Sequence, residues 1–370
     1  MLSPSGKVPA GARLFYVPYW RFKGTLFFCG IENGVGHRFM DLSQLAVAAH
    51  DSFFPASLGL RSQALPLQLV SETTAGTFIA PMDFSRAMKM MDSRPVPGEK
   101  SDPPLCREYI GETASLVFSP FYLDGNRLMD AVRNEPAGAK VPEQALIDTL
   151  ETCRPARDTL FLAGLCPACG WNLEGEAESL VLVCRNCNSL WRPDGKNFAP
   201  VAFERAAAEP GNRVFLPFWR MEAAVSGLPF ASYADLARVV NLPRVVRPEW
   251  ESTPVSLWVP AFKLRPSLFL RVGQQMLLAQ PRPETGRSLS GVSLYPITLP
   301  ESEAAESLKI LLASVVRPAK RWMPEAARAG ITVKNTTLVY LPFEQGHHDL
   351  CCREYGVSIE KNTLALSTNL

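Results

Sequence analysis

The chain has 370 residues, 47% of them hydrophobic and 20% charged, an ordinary globular composition long enough for two or three domains with real cores. Lys plus Arg number 38 against 36 Asp plus Glu, which lacks the clear basic excess of a dedicated nucleic-acid binder. The 32 prolines predict many short elements, because proline ends helices and is confined to strand edges, strand ends and bulges.

Residues 1–14 contain Pro4, Gly6, Pro9 and Gly11 but no apolar run, which is not the pattern of a secretory signal. No stretch reaches the ~20 apolar residues of a membrane helix. The expectation is a cytoplasmic protein without a membrane span. From Arg13 to Phe22 a β-branched and aromatic run leads into Pro18, Tyr19, Trp20 and Arg21, as in a half-buried strand. Period-two alternation sends Tyr19 and Trp20 to opposite faces, with Arg21 on the side of Tyr19. Gly34, Val35 and Gly36 lack the third glycine of a dinucleotide fingerprint and read as a turn. Asp41 to His50 has an acidic start and an apolar stripe from Leu42, a helix signature. Ser57 to Arg61, Ile79 to Pro81 and Ser115 to Phe121 are strand-like blocks. Pro142 to Cys153 opens with proline and Glu143 and predicts a helix.

Cys166, Cys169, Cys184 and Cys187 follow as two Cys-x-x-Cys pairs with fourteen residues between them. That spacing aims four thiolates at one tetrahedral cation. Gly170 and Asn188 come directly after the two turns, and these residue types best tolerate positive φ. Trp171 to Leu173 and Leu180 to Val183 are strand-like around a turn at Glu174 to Glu176. The segment from Leu165 to Pro193 resembles the zinc ribbon family; the rest of the chain resembles no family. The resemblance implies one structural Zn²⁺ ion with all four positions filled, hence no open position for substrate. An iron site of rubredoxin type shares the first turn but fits the second turn and the short spacing less well.

Beyond the ribbon, Arg213 to Met221 repeats the pattern with Pro217, Phe218, Trp219 and Arg220. Ser232 to Val240 predicts a short helix. Leu257 to Lys263 is another strand with a proline. Ser267 to Arg271 and Leu294 to Pro296 echo earlier blocks. Ser302 to Val316 predicts the longest helix, acidic at its start and closed by Arg317 and Pro318, as the dipole favours. Pro324 to Ala329 predicts a further short one. Thr337 to Phe343 matches Ser115 to Phe121. The remaining ligand-type residues are His347, His348, Asp349, Cys351 and Cys352, of which His347, Asp349 and Cys351 would share one strand face.

Four blocks thus recur in one order in both halves. The expected fold is α+β, with two related β-rich modules from an internal duplication and a four-cysteine zinc ribbon between them. The expected boundaries are 12–135 for the first module, 136–160 for a helical linker, 161–195 for the ribbon and 210–365 for the second module. Tyr19, Trp20, Arg21, Phe218, Trp219 and Arg220 have two readings: core and edge packing, or two aromatic–arginine surfaces for a protein partner, since exposed Trp and Arg suit hot spots. The leading functional expectation is a non-enzymatic zinc-binding adaptor. One alternative is nucleic-acid binding through the ribbon with Arg185, Arg192, Lys196 and Arg205. A second is an enzyme with a pocket between the modules, using His347 and Cys351.

Overall fold

In the computed structural model, the residues described are 1–32, 34–47, 53–59, 67–70, 74–92, 104–140, 150–154, 161–208 and 211–367. They are β-rich with few helices, about 41% strand against 20% helix. The chain divides into two compact units, one of residues 1–25, 39–103 and 111–159, the other of 26–38, 104–110 and 160–370. The cysteine segment therefore belongs with the second unit. No helix among the described residues is long and apolar enough to cross a membrane.

The first unit is built on strands β1 (Phe15–Gly30) and β4 (Cys106–Asp124), which are hydrogen-bonded neighbours. On the outer flank of β1, Phe15 and Tyr16 pair in parallel with β3 (Thr77–Ile79). Past Pro18 that flank belongs to β2 (Gly34–Leu45), and the Pro18 carbonyl accepts from Ala46 N at 2.9 Å. Met82 N then donates to the Ala46 carbonyl at 2.7 Å, and the Trp20 indole donates to the Met82 carbonyl at 2.8 Å. β4 behaves likewise. Leu2 N donates to Phe118 O, Ala131 N donates to Pro120 O, and from Phe121 onward β5 (Arg127–Asp130) is the partner. Tyr19, Val17, Ile79, Phe121 and Leu128 fill the core between these strands.

The second unit rests on β12 (Arg213–Ser226) and β16 (Gly330–Gln345), antiparallel over their length with a bulge at Glu222/Ala223. Val214 and Phe215 pair in parallel with β15 (Ser293–Leu294), whereas Phe218 to Met221 pair antiparallel with β13 (Leu257–Pro260). Pro217 sits where the partner changes, and its carbonyl accepts from Ala261 N at 3.0 Å. Leu299 N donates to the Ala261 carbonyl at 3.1 Å, and the Trp219 indole donates to the Leu299 carbonyl at 3.0 Å. On β16, Leu338 to Tyr340 pair in parallel with β11 (Phe203–Ala206), whose other side holds β14 (Thr285–Gly286). Glu344 and Gln345 pair with β17 (Asp349–Cys352), and Pro342 lies between the two partners. These prolines are inside long strands, against the expectation of edges and ends. A missing N–H costs nothing at a switch of partner, where the ladder offers no acceptor.

Other local expectations change as well. Asp41 to Leu45 is strand, the end of β2, rather than the start of a helix; residues 48–52 lie outside the described set, as do 60 and 61. Gly34, with φ +66, already opens β2 and is followed in it by Val35 and Gly36, so these three are not the turn expected there. The helix expected over Pro142 to Cys153 falls on 141–149, outside the described residues, and its end, Thr152–Cys153, is the short strand β7. Residues 136–140, expected to open a helical linker, lie in strand β6 (Glu135–Lys140). Ser267 to Arg271 lies in a helix, Pro266–Ala279, not in a strand. Tyr233–Val240 is helical as expected, opened by a reciprocal Ser232–Asp235 cap. The helix expected over 302–316 is two, Glu301–Glu306 and Leu308–Val315, and Pro324 lies inside a third, Ala319–Arg328.

The indole bonds give a direct check on this framework. Trp219 is 6% exposed, so Trp219→Phe strands the Leu299 carbonyl and is expected to lower stability by about 1–3 kcal/mol. Urea denaturation of the second unit's transition measures it, and Trp20→Phe, whose ring is half-buried, is expected to cost less.

Candidate metal centre

Each pair of cysteines is set by a tight turn. In the first, Gly170 N donates to the Cys166 carbonyl at 2.8 Å, and Cys166 N donates to the Trp171 carbonyl at 2.7 Å. Gly170 has φ +72 and Asn188, after the second turn, has φ +53. Between the turns, Glu174 and Val183 exchange backbone bonds in both directions. The three-stranded sheet that follows is β8 (Leu182–Cys184), β9 (Ser189–Asp194) and β10 (Asn197–Val201), in order β10-β9-β8. The β9–β10 hairpin was not foreseen in the sequence, although Asp194 and Gly195 mark its turn.

The four sulfurs lie within 4.8 Å of one another, with Cys166 to Cys187 at 3.6 Å and Cys169 to Cys184 at 3.5 Å. Zn–S bonds of ~2.3 Å in a tetrahedron put the sulfurs about 3.8 Å apart, so the cluster could hold a metal ion of that size. A disulfide would need a separation of ~2.05 Å. Cys166 and Cys184 are buried, while Cys169 and Cys187 reach the surface. Burial works against ionisation of Cys166, but the amides of Ala168 and Cys169, the Ser189 hydroxyl and Cys187 outweigh it and bring its thiol down to about 6. The Asn186 side chain and the Trp171 amide lower the Cys169 thiol. Burial, with competition from the neighbouring sulfurs, pushes Cys184 up to about 12. Lowered thiols at Cys166 and Cys169 beside a raised one at Cys184 are the conflict a divalent cation would remove, because it replaces the thiol protons.

Ser189 supports the sulfurs. Its Oγ accepts from the Trp191 indole at 2.7 Å and lies 2.9 Å from Cys187 Sγ and 3.7 Å from Cys166 Sγ. Toward an ionised sulfur, which can only accept, the Ser189 hydroxyl is the donor. The second turn is anchored to the main sheet's loop. Asn188 Oδ1 accepts from Leu289 N at 2.7 Å, and Arg185 donates to the carbonyls of Leu289 and Val292, both at 2.9 Å. Val181 and Leu190 join the second unit's core with Leu289 and Ile297.

The other sequence-predicted residues are placed differently. Tyr19 and Phe218 are 0% exposed and Trp219 is nearly buried. Trp20 is half-buried with its indole bonded, Arg21 holds Asp41 through two 2.8 Å bonds, and Arg220 pairs with Glu204 at 3.2 Å while lying over Trp258. Tyr19, Phe218 and Trp219 thus pack the core and present no partner surface, while Trp20, Arg21 and Arg220 are bonded at its margin. Of the basic residues, Arg185 is spent on backbone carbonyls and Arg205 donates to the carbonyls of Ser288 and Ala206. Arg192 and Lys196 are exposed. Near the chain end, Asp349 Oδ2 accepts from Cys351 Sγ at 3.0 Å and from Ser358 Oγ at 3.2 Å. The Asp349 carboxylate raises the Cys351 thiol, the reverse of what activates a nucleophile. His347 bonds its neighbour His348, and among the described residues these groups do not converge into a second ligand cluster.

Outer partners of metal ligands contribute about 10–100-fold to affinity. Ser189→Ala is accordingly expected to keep all four ligands yet weaken metal retention by about 10-fold, read by competition with a chromophoric chelator. No protein-family model matches this chain, and neither curated proteins nor solved structures match it.

Proposed function

We propose that the four cysteines hold one structural Zn²⁺ ion and that the protein is a non-enzymatic, zinc-dependent adaptor. The observation that carries the reading is the closed four-sulfur cluster. Four thiolates fill the tetrahedral sphere, so the ion braces the fold and has no position for a substrate. The ribbon bears apolar side chains in water beside the first turn: Phe161 at 92%, Leu165 at 49% and Trp171 at 58% exposure. Leu165 and Asn172 are bridged, so Leu165 and Trp171 lie on adjoining segments at the first turn. Exposed Trp is a residue type of binding hot spots, and this patch is the surface we assign to a protein partner.

The reading includes an internal duplication as the origin of the two units. Its support is the matched run of hydrogen bonds: Ala46 to Pro18, Met82 to Ala46 and Trp20 to Met82 in one unit, and Ala261 to Pro217, Leu299 to Ala261 and Trp219 to Leu299 in the other. The nucleic-acid alternative retains only Arg192 and Lys196 as uncommitted ribbon cations, which is thin support.

Elemental analysis of the purified chain tests the metal. One zinc per chain is expected, falling to well under one in Cys184→Ser; iron with a visible thiolate charge-transfer band would sink the zinc assignment. The partner surface has its own test. Trp171→Ser, with zinc retained, is expected to lose at least one protein that the unaltered chain captures, and identical capture by both contradicts the patch.

A further inference from the structure

Outside the metal cluster, Cys29 and Cys106 are the two thiols that the described fold brings into contact. β1 and β4 are neighbours, and the Leu105 amide donates to the Cys29 carbonyl at 2.9 Å. That bond seats Cys106 beside Cys29, with the two side chains in hydrogen-bond contact. A disulfide bridges Cα atoms about 4.4–6.8 Å apart, and contact between the two thiols across neighbouring strands is what a bridge requires. Cys29 is 0% exposed, whereas Cys106 is half-buried at the margin of the same core. Lys309 Nζ and Glu108 Oε1 form an ion pair at 2.6 Å nearby.

We propose that Cys29 and Cys106 are an oxidative modification site, forming a reversible disulfide with a peroxide as oxidant. The two thiols have unequal roles. Contact with Cys29 lowers the Cys106 thiol, while contact with Cys106, added to burial, raises Cys29. Cys106 is therefore the more readily ionised of the two, and it is also the one a solvent-borne oxidant reaches. Its sulfur attacks one peroxide oxygen, the O–O bond breaks, and hydroxide leaves, giving a sulfenic acid at Cys106. Cys29 then attacks the sulfenic sulfur; the S–S bond forms, the S–O bond breaks, and the oxygen departs as water with the Cys29 proton. In sum, two thiols and one hydrogen peroxide give one disulfide and two waters. The bridge would tie the end of β1 to the start of β4 within the second unit. A thiol reductant reverses it.

Tryptic peptides separate this pair from the other seven cysteines, because Cys29 falls in 24–38 and Cys106 in 101–107. The full, metal-loaded chain is treated with hydrogen peroxide, quenched in acid, alkylated in denaturant and digested without reduction. The expected result is a linked 24–38/101–107 species that a thiol reductant splits. Cys29→Ala is expected to leave a dimedone-trappable sulfenic acid on Cys106. Recovery of both cysteines from the unaltered chain as alkylated thiols overturns the proposal, as does Cys106 as sulfinic acid beside a free Cys29.

Discussion

Proline cannot donate a backbone hydrogen bond, and this fold places its long strands around that deficit. β1, β4, β12 and β16 each carry a proline where the outer flank passes from one partner to the next: Pro18, Pro120, Pro217 and Pro342. On β12 the change is from parallel β15 to antiparallel β13. At such a junction neither neighbour offers an acceptor, so an ordinary residue would leave its N–H unpaired in a buried sheet, at about 1–3 kcal/mol. Proline removes the donor and keeps the carbonyl, and Ala46, Ala131 and Ala261 supply donors to the carbonyls of Pro18, Pro120 and Pro217. The same constraint fixes what comes next. The segment that bonds the Pro18 or Pro217 carbonyl is itself capped by a third segment, whose carbonyl receives the indole of Trp20 or Trp219. A surface role for those tryptophans is lost because the junction needs their N–H groups inside.

The metal centre grows out of the second unit. Its turns are local, set by Gly170 and Asn188, but its attachments are distant in sequence. Asn188 does two things, adopting φ +53 and accepting from Leu289 N. Arg185, charged and close to the sulfurs in sequence, is held by the carbonyls of Leu289 and Val292. With Val181 and Leu190 in the larger core, the free energy of metal binding to the four cysteines would be folding free energy for more than the ribbon.

What was legible in the sequence depended on range. The cysteine spacing and the residues after each turn are short-range chemistry, and the cluster could be read from them. The short helix starting at Ser232 was equally local. The strand blocks could be seen as strands, but the position of their prolines could not, because a switch of partner is a property of the assembled sheet. Asp41 to Leu45 misled for the same reason. Leu42 is exposed and Gln44 is buried in β2, so pairing with β1 overrode the apolar pattern. The helix Pro266–Ala279 was hidden by burial on nearly all sides, with Leu268, Phe269, Leu270, Val272 and Met276 inside, which erases the amphipathic period.

The four-cysteine ribbon is part of the second unit's core. Hydrogen exchange across the whole chain, compared before and after zinc chelation, tests it most directly. Loss of protection is expected over β8 to β10 and, in the same step, over residues 257–263, where Lys263 pairs with Glu178, and 289–299, which the ribbon contacts through Leu289, Val292 and Ile297. Faster exchange confined to residues 161–201, with 257–299 unchanged, would contradict it.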